Sequence, residues 1–530
     1  MELITSLLLS IFIAIVITEN YGYGYWMFSR PVFGGFLVGL LMGDLQTGLL
    51  VGGTIELMYI GVLPIGGSVP PNAQIAGMLS TVFAISNGGN AEVGIALALP
   101  IGVLAQLLIM LAWNINILLM HRADKYIQEG DIKKVERTHL LGIPLFFTVF
   151  FIASFFAIYF GSDFVNNLVN KLPEQVTEGL KVASGLLPAV GMAMLIKMMN
   201  FKKYWSLFTI GFVLAVYFNL SVLAVSILSI AVVCALYTLR KNSNNNDSMD
   251  DDFDDEEEDS VNEERILTKR ELRQVFRRSF FSMTSINYER YCSLGFCYAM
   301  IPAIKKLYKD EAEIKEALKR HNEFFNCHPY TGNAVLGVTL TLEEQRALNK
   351  PISEEAISST KTALMGPLSG IGDSVFKAVF MTIFAAIGAG MAIDGNVLGP
   401  FVFLIPNVLL NVLSRKYFVD YGYKFGTKLI SKMKNSNIIN TFVEATTFVG
   451  MMIVGAMVVG FVKVPLDLVF NISGSEINIL NILNGIVPSL LPVSLVLVYY
   501  LILKKYKKGM YIVILLSFII GILGKVIGIF

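Results

Sequence analysis

An acidic segment separates two long apolar regions of this chain, so the fold must be built from two bodies. From Ser243 to Glu264 the sequence turns rich in asparagine and then almost wholly acidic, with Asp or Glu at nearly every position of Asp250–Asp259. A block of like charges repels itself and cannot bury a core, so we predict a disordered, solvated linker over 241–264. The linker joins a first half, 1–240, to a second half, 265–530.

Both halves are too apolar for a soluble protein of this length. Hydrophobic residues make up 54% of the 530 residues and charged residues only 16%. Such a composition is typical of proteins that cross a membrane with helices of about 20 apolar residues. We therefore predict an all-α polytopic membrane protein with two helical membrane halves. The net charge of +1 gives no indication of nucleic-acid binding. Met1–Ile4 lacks the basic region of a removable signal peptide.

Basic clusters between the apolar segments set the expected orientation. They lie at His121–Arg137, Lys202-Lys203, Arg240-Lys241, Arg415–Lys434 and Lys504–Lys508. Placing all of them in the cytoplasm lets the intervening helices cross the membrane alternately. The linker and a helical segment over 265–360 are then cytoplasmic, and the membrane helices of the second half occupy 361–530. The segment Asp467–Asn478 faces the outside.

Glycine and proline residues break the apolar pattern of the first half. The stretches read GDLQTG over 43–48, GGTIE over 52–56 and PIGG over 64–67, followed by Pro70-Pro71 and then Asn72 and Gln74. Irregular backbone survives at membrane depth only where protein buries it or where it lines a wet cavity. The sequence therefore predicts broken or re-entrant helices that border a cavity.

Glu56 lies inside this broken stretch, with no basic residue near it in the sequence to pair with its carboxylate. A charged side chain in an apolar segment is costly and marks a functional site by default. Two interpretations stay open. Glu56 contacts the substrate, or it hydrogen-bonds the exposed backbone of a neighbouring helical hairpin.

A second interruption lies in the other half. The sequence MGPLSGIGDS over 365–374 places glycines, a proline and Asp373 at the start of a long apolar run. Paired interrupted segments, one in each half, are typical of transporters with a binding site near the middle of the membrane. We therefore expect Asp373 at a cavity that the two halves share.

The polar segment 265–350 contains further candidates but no familiar catalytic motif. No nucleotide-binding loop, kinase signature or Ser/His/Asp arrangement occurs, and no metal-ligand spacing is present, so we expect no cofactor. In HNEFFNCH over 321–328, His321 suits a capping or interfacial role better than catalysis. The stretch Asn287–Arg290 suits sugar hydroxyls and equally suits a structural salt bridge. His121 and His139 flank a basic loop and are expected at the surface.

These motifs resemble those of a known family of permeases. Residues 1–240 resemble the IIC component of the mannose-family phosphotransferase system (PTS) in GDLQTG, GGTIE and the proline-rich turn before Asn72. Residues 265–530 resemble the IID component of the same family. The matching stretches are LGFC at 294–297, MIPAI at 300–304, His321 with EFFN at 323–326, LGVTL at 336–340, EEQR at 343–346, and LMGP at 364–367 through Gly372-Asp373.

The resemblance implies a function and a set of partners. Two components that are usually separate proteins would be fused here into one sugar-translocating unit of a bacterial plasma membrane, associating as a homotrimer. A separate cytoplasmic IIA/IIB protein would carry the phosphohistidines and phosphorylate a hexose or related sugar as it enters. This chain would then carry no phosphorylated residue of its own. An ion-coupled sugar transporter and a non-transporting receptor or scaffold are the alternatives.

We expect both halves to contribute to the sugar site. The predicted contacts are Glu56, Asn72 and Gln74 from the first half, and Asn287, His321, Asn326 and Asp373 from the second. The two carboxylates can accept hydrogen bonds from vicinal hydroxyls, and the amides supply a donor beside an acceptor. Many family members have Asp where this chain has Asn72. An amide cannot act as an anion, so no proton-acceptor role is expected there.

Overall fold

The computed structural model describes residues 2–62, 69–169, 173–199, 201–244, 265–435, 437–472, 475–506 and 508–530. In these ranges the chain is almost entirely helical, with one two-stranded hairpin. Within the described ranges, seven helices are long and apolar enough to cross a membrane, and a bent pair of helices passes the same test when it is taken as one span. The prediction of an all-α polytopic membrane protein is confirmed. Of the predicted linker, helix covers the residues up to Asn244, and 245–264 lie outside the described residues.

The residues of the first half that the structure describes form eleven helices. They are α1 (Leu3–Gly22), α2 (Pro31–Met42), α3 (Leu45–Tyr59), α4 (Ala73–Ser86), α5 (Ala91–Glu129), α6 (Ile132–Leu140), α7 (Gly142–Val169), α8 (Glu174–Leu186), α9 (Pro188–Met198), α10 (Phe201–Tyr217) and α11 (Val222–Asn244).

The described residues of the second half form eleven more helices, a π-helical segment and the hairpin. The helices are α12 (Lys269–Ser279), α13 (Ser293–Leu307), α14 (Glu311–His321), α15 (Gly332–Ala347), α16 (Glu354–Gly372), α17 (Thr382–Ile393), α18 (Gly399–Asn435), α19 (Asn437–Phe461), α20 (Ile479–Ile486), α21 (Leu490–Lys505) and α22 (Gly509–Ile527). The π-helical segment is Asp373–Met381, and strands β1 (Val469–Ile472) and β2 (Ser475–Asn478) pair antiparallel.

The predicted broken helices occur in the first half. Helices α2, α3 and α4 contain 12, 15 and 14 residues, which is too few to cross a membrane singly. Gly43 ends α2 with a φ of 79°, a conformation that favours glycine. Asp44 then begins α3 by accepting a hydrogen bond from the Thr47 N–H at 3.1 Å. The stretch 63–68, which includes the PIGG sequence, lies outside the described residues.

The second interruption takes a different form. Helix α16 continues through Gly366, Pro367 and Gly370 without a break, passes into the π-helical segment at Asp373 and runs on into α17. A π-helix makes i→i+5 hydrogen bonds, which widens the helix while keeping its backbone bonded, and such segments are frequent at functional sites. At this point the chain therefore keeps its backbone hydrogen bonds within one continuous helix.

The two halves pack through direct backbone contact at glycines. A Cβ added at Gly211 of α10 would collide with the Met452 carbonyl of α19, and one at Gly455 of α19 would collide with the Phe208 carbonyl. Gly179 of α8 faces α22 in the same way. Small residues of this kind let helices approach closely in a membrane, where dispersion contacts replace the hydrophobic effect as the driving force.

A loop of the second half is inserted into the first half. His139 contacts the Ser285 hydroxyl at 2.7 Å and the Phe281 carbonyl at 2.9 Å through its two ring nitrogens. The Asn116 amide donates to the Ile286 carbonyl at 2.9 Å. His139 is fully buried, so its expected surface position is wrong. From α6, His139 hydrogen-bonds a loop that lies more than 140 residues later in the chain. A contact between residues so far apart cannot be predicted from the sequence around His139.

The glycine contacts give a testable consequence for assembly. Gly455→Leu introduces side-chain volume where α10 and α19 touch, and over-packing of this kind costs about 1–3 kcal/mol or more. We expect the two halves, after cleavage at a protease site inserted between 245 and 264, to separate during purification in detergent. Wild-type halves should stay together.

Gly460→Leu is the matched control, because Gly460 lies on the same helix with only Val222 near it, at 3.8 Å. Co-purification of the Gly455→Leu halves at the wild-type level would contradict the proposed contact.

Candidate functional site

A cavity of about 170 Å³ lies between the two halves. The first half contributes the end of α1, the loop before α2, the turn that leads into α4, and part of α5. The second half contributes the loop after α12, helix α13, the loop between α14 and α15, and the junction of α16 with the π-helical segment. Neither half encloses the cavity alone.

Four of the seven predicted site residues line this cavity, namely Asn72, Gln74, Asn326 and Asp373. Asn72 caps α4, since its Oδ1 accepts a hydrogen bond from the Ile75 N–H at 2.8 Å. The side chains of Gln74 and Asn326 make no hydrogen bond to other described residues. The cavity therefore brings together amides from both halves. Their contact with a sugar stays a prediction.

Glu56 lies beside the cavity wall and forms a salt bridge with Arg30. It is fully buried, and its Oε1 accepts from the Arg30 guanidinium, with the Nε–Oε1 distance at 3.0 Å and a second, shorter contact from Nη2. Its Oε2 accepts from the Val32 N–H at 3.3 Å. The expectation that no basic residue pairs with Glu56 is wrong, because α2 and α3 fold back on each other and bring Arg30 alongside. It is Arg30, rather than Glu56, that lines the cavity.

Asn287 and His321 lie away from the cavity lining. The Asn287 Oδ1 accepts from the N–H groups of Glu289 and Arg290 at 3.0 and 2.9 Å, which closes a turn. Arg290 in turn pairs with Asp124 of the first half at 2.9 Å. These contacts match the structural interpretation of the stretch Asn287–Arg290.

His321 belongs to a buried polar network around Glu343. The carboxylate contacts His321 Nε2 at 2.7 Å and accepts from Arg320 Nε at 2.7 Å and from the Tyr308 hydroxyl at 2.6 Å. Burial alone would raise the pKa of Glu343, but Arg320 and His321 hold it well below its usual value. The contribution of the Glu343 carboxylate to stability is therefore complete above about pH 5 and is lost as the pH falls further.

Several lining residues were not predicted from the sequence. Lys377 pairs with Asp373, with 2.9 Å between Nζ and Oδ1. Trp113, His328 and Asn333 are buried in the cavity wall. The i,i+4 spacing of Asp373 and Lys377 is a readable signal for a pair on one helix face. The other three come from separate elements and carry no common local pattern.

A strained loop forms one wall. Between α1 and α2, Gly24, Tyr25 and Met27 have φ values of 100°, 59° and 71°. The Glu19 carboxylate holds the loop from one side by accepting from the Trp26 N–H at 2.5 Å. From the second half, the Asn411 amide donates to the carbonyls of Gly24 and Tyr25 at 2.8 and 3.0 Å. Non-glycine residues at positive φ cost about 1–3 kcal/mol each and persist only when their surroundings fix them.

Family comparisons agree with this two-part architecture. Residues 3–236 match the family described as "PTS system sorbose-specific iic component", and residues 266–530 match "PTS system mannose/fructose/sorbose family IID component". This chain belongs to the mannose/fructose/sorbose family of the phosphotransferase system. It is a fusion of a IIC and a IID component, and it forms the sugar-translocating membrane unit of a PTS.

Individual relatives of this PTS unit align with one half each. The fructose permease IID component of Bacillus subtilis is 38% identical over 273 residues, covering 50% of this chain and 98% of the relative. The mannose-specific EIIC component of Escherichia coli is 33% identical over 213 residues, covering 40% of this chain and 80% of the relative. A solved complex of the mannose transporter ManYZ with microcin E492 contains a chain 38% identical to this one, with a TM-score of 0.30, covering 50% of this chain and 99% of that chain.

The Arg30–Glu56 pair makes a clear prediction for stability. Removing one partner leaves a buried charge without compensation, which costs about 3–5 kcal/mol. Arg30→Met should therefore lower the free energy of unfolding by this amount, measured by thermal unfolding in detergent. The double variant Arg30→Met with Glu56→Leu should recover much of the loss.

Lys203→Met is the control for this pair. Lys203 and Glu444 form a largely exposed ion pair at 2.7 Å, and exposed pairs contribute about 0–1 kcal/mol. An Arg30→Met variant as stable as Lys203→Met would show that the buried pair does not hold α2 against α3.

Proposed function

We propose that this PTS unit binds a hexose or related sugar in the cavity between its halves and releases it to a cytoplasmic IIA/IIB protein that phosphorylates it. The proposal assigns sugar contact to Asn72, Gln74, Asn326 and Asp373, which line the cavity. It assigns Glu56 a supporting role through Arg30, and Asn287 and His321 a role in holding the surrounding loops.

The observation that carries the proposal is a set of unpartnered polar atoms in the cavity wall. Trp113 Nε1, His328 Nε2 and Asn333 Oδ1 are buried and have no hydrogen-bond partner among the described residues. A buried polar atom without a partner costs about 1–3 kcal/mol. Two of these atoms belong to potential donors and one to an acceptor, and sugar hydroxyls both donate and accept. A sugar hydroxyl bound beside any of these atoms would supply its missing hydrogen bond.

The apolar part of the cavity supports the same ligand. Tyr21, Tyr25, Trp113 and Tyr291 all contribute to the lining. The C–H faces of a pyranose ring are apolar and pack well on aromatic rings, while the hydroxyl groups point outward to polar partners. A cavity with aromatic walls and a few placed amides is typical of small-molecule sites.

The positions of the histidines support a separate phosphoryl donor. The chain has four histidines, and three of them, His139, His321 and His328, are buried. The fourth, His121, is half-exposed and lies 3.0 Å from Glu289 and 3.7 Å from Asp124. Two nearby carboxylates disfavour a phosphorylated ring at that position by charge repulsion. Phosphorylation of the sugar by a partner protein is consistent with this arrangement.

An uncovered helix face supports association of several copies. Ala363, Gly366 and Gly370 lie on one exposed face of α16, inside a candidate membrane span. A Cβ at Gly366 or Gly370 would meet no atom within 4 Å. Small residues at this spacing are typical of helix–helix contact within membranes. We propose that this face contacts another copy in the homotrimer.

A vesicle assay tests the transport function. Purified protein in proteoliposomes is given labelled mannose, glucose and fructose, with or without a phosphorylated IIA/IIB protein. We expect one or more of these sugars to appear as the phosphate ester only when the donor is present. Accumulation of unmodified sugar driven by an ion gradient would favour a secondary transporter, and binding of no sugar would favour a receptor or scaffold.

Two cavity variants connect this activity to the proposed site. Gln74→Leu and Asn326→Leu each remove an amide whose side chain has no hydrogen-bond partner among the described residues. We therefore expect about tenfold weaker sugar binding with unchanged thermal stability. Gln274→Leu removes an exposed amide of α12 and serves as the control. Equal sugar affinity in all three variants would place the sugar elsewhere.

The proposed trimer contact is tested by Gly366→Leu. The added side chain enters open space within one copy, so we expect normal folding and a shift in mass from three copies to one, measured by native mass spectrometry. Gly460→Leu, on an exposed face of α19, should keep the wild-type mass. An unchanged mass for Gly366→Leu would remove α16 from the contact.

A further inference from the structure

One end of the cavity carries two buried cations. Lys377 lies in the π-helical segment, lines the cavity and is 9% exposed. Arg415 of α18 is 1% exposed and lies outside the cavity lining, over the ring of Tyr330, which packs edge-on against His328. The Arg415 Nε donates to the Asn411 Oδ1 at 2.7 Å and its Nη1 donates to the Ser279 carbonyl at 2.6 Å. Ser279 itself lines the cavity.

The negative charge in contact with these cations is smaller than the positive charge. Asp373 pairs with Lys377. Among the described residues, no carboxylate lies within ion-pairing distance of Arg415, whose hydrogen-bond partners are neutral. The guanidinium also lies over the rings of Phe280 and Tyr330, at 4.8 and 5.8 Å from the centroids. A buried cation held only by neutral groups favours an anion nearby.

His328 adds a hydrogen-bond donor at the same end. Its Nδ1 accepts from the Tyr330 N–H at 3.2 Å, so the ring proton lies on Nε2. Phe376 stacks on the ring with centroids 5.7 Å apart and fixes its orientation. His328 is 2% exposed, and Nε2 has no partner in the part of the chain that the structure describes. Burial, together with Lys377 and Arg415, keeps the pKa of His328 well below its usual value.

We propose that Lys377, Arg415 and His328 form a subsite for the phosphate group of a sugar phosphate, the product of the coupled phosphorylation. This inference rests on the proposed function. Lys377 Nζ and His328 Nε2 would donate to the phosphate oxygens, and Arg415 would stabilise the dianion from outside the cavity lining. Lys377 would exchange the Asp373 Oδ1 for phosphate, so that both oxygens of Asp373 become available to sugar hydroxyls. Hydrogen bonds of this kind, between charged groups, are stronger than hydrogen bonds between neutral groups.

The subsite gives the π-helical segment a role in the reaction cycle. Free sugar would bind while Asp373 and Lys377 are paired, and the phosphate ester would bind with the pair opened. The same cavity would then hold substrate and product in overlapping positions, so that the product competes with new sugar until it leaves.

Calorimetric titration of the full chain in nanodiscs tests the inference. The probes are mannose, glucose and fructose, their phosphate esters, and inorganic phosphate. We expect at least one ester to bind competitively with its free sugar. Lys377→Met should weaken the ester about tenfold or more, with a smaller change for the free sugar. Lys377→Arg, which keeps the charge, should retain ester binding.

Lys361→Met is the matched control. Lys361 is also buried, but its Nζ donates to the carbonyls of Arg320, His321 and Glu323, outside the cavity. We expect it to lower stability without changing the ratio of ester to sugar affinity. This separates loss of a buried cation in general from loss of the phosphate contact.

The outcomes distinguish a failure of the phosphate subsite from a failure of the proposed function. Binding of a free sugar with no binding of any ester would overturn the phosphate subsite and leave the sugar site intact. Equal weakening of sugar and ester by Lys377→Met would also overturn it. Inorganic phosphate that binds as tightly as every ester would reduce the site to a general anion site and overturn the assignment to sugar phosphates. Binding of no sugar at all would instead contradict the proposed function.

Discussion

Contact between the backbones of the two halves is the constraint on which the rest of the structure depends. At Gly211 and Gly455 the helices approach so closely that a single added carbon would collide with a carbonyl group. The cavity lies along this boundary and takes its walls from both sides. A separation of the halves would therefore remove the site as well as the interface. The proposed sugar site therefore requires that the two halves be assembled.

The sequence predicts much of this architecture because its signals are local. Apolar segments of spanning length predict an all-helical membrane protein, and the glycine-rich stretches before Glu56 predict the short helices α2 and α3. Asn72 and Asp373 stand out because each interrupts an apolar run, and both line the cavity. These features depend on the periodicity of apolar residues and on the backbone preferences of glycine and proline. Both can be seen in a short stretch of sequence.

What the sequence does not predict depends on contacts between distant residues. Arg30 and Glu56 pair only because α2 and α3 fold back on each other, so the carboxylate looks unpaired in the linear chain. Trp113 and His328 reach one cavity from different halves. His139 looks like a surface residue within a basic loop, yet it receives a loop of the second half. Tertiary packing decides each of these positions.

The loop between α1 and α2 makes the cavity sensitive to the position of α18. Gly24, Tyr25 and Met27 keep positive φ values while Asn411 holds the carbonyls of the first two. Asn411 Oδ1 also accepts from Arg415, which donates to the Ser279 carbonyl at the end of α12, so α18 connects this loop to another part of the cavity wall. From the first half, the Glu19 carboxylate of α1 holds the same loop at the Trp26 N–H. The shape of this cavity wall is therefore set jointly by the two halves, and a first half on its own would lack the restraint on Tyr25 that α18 supplies.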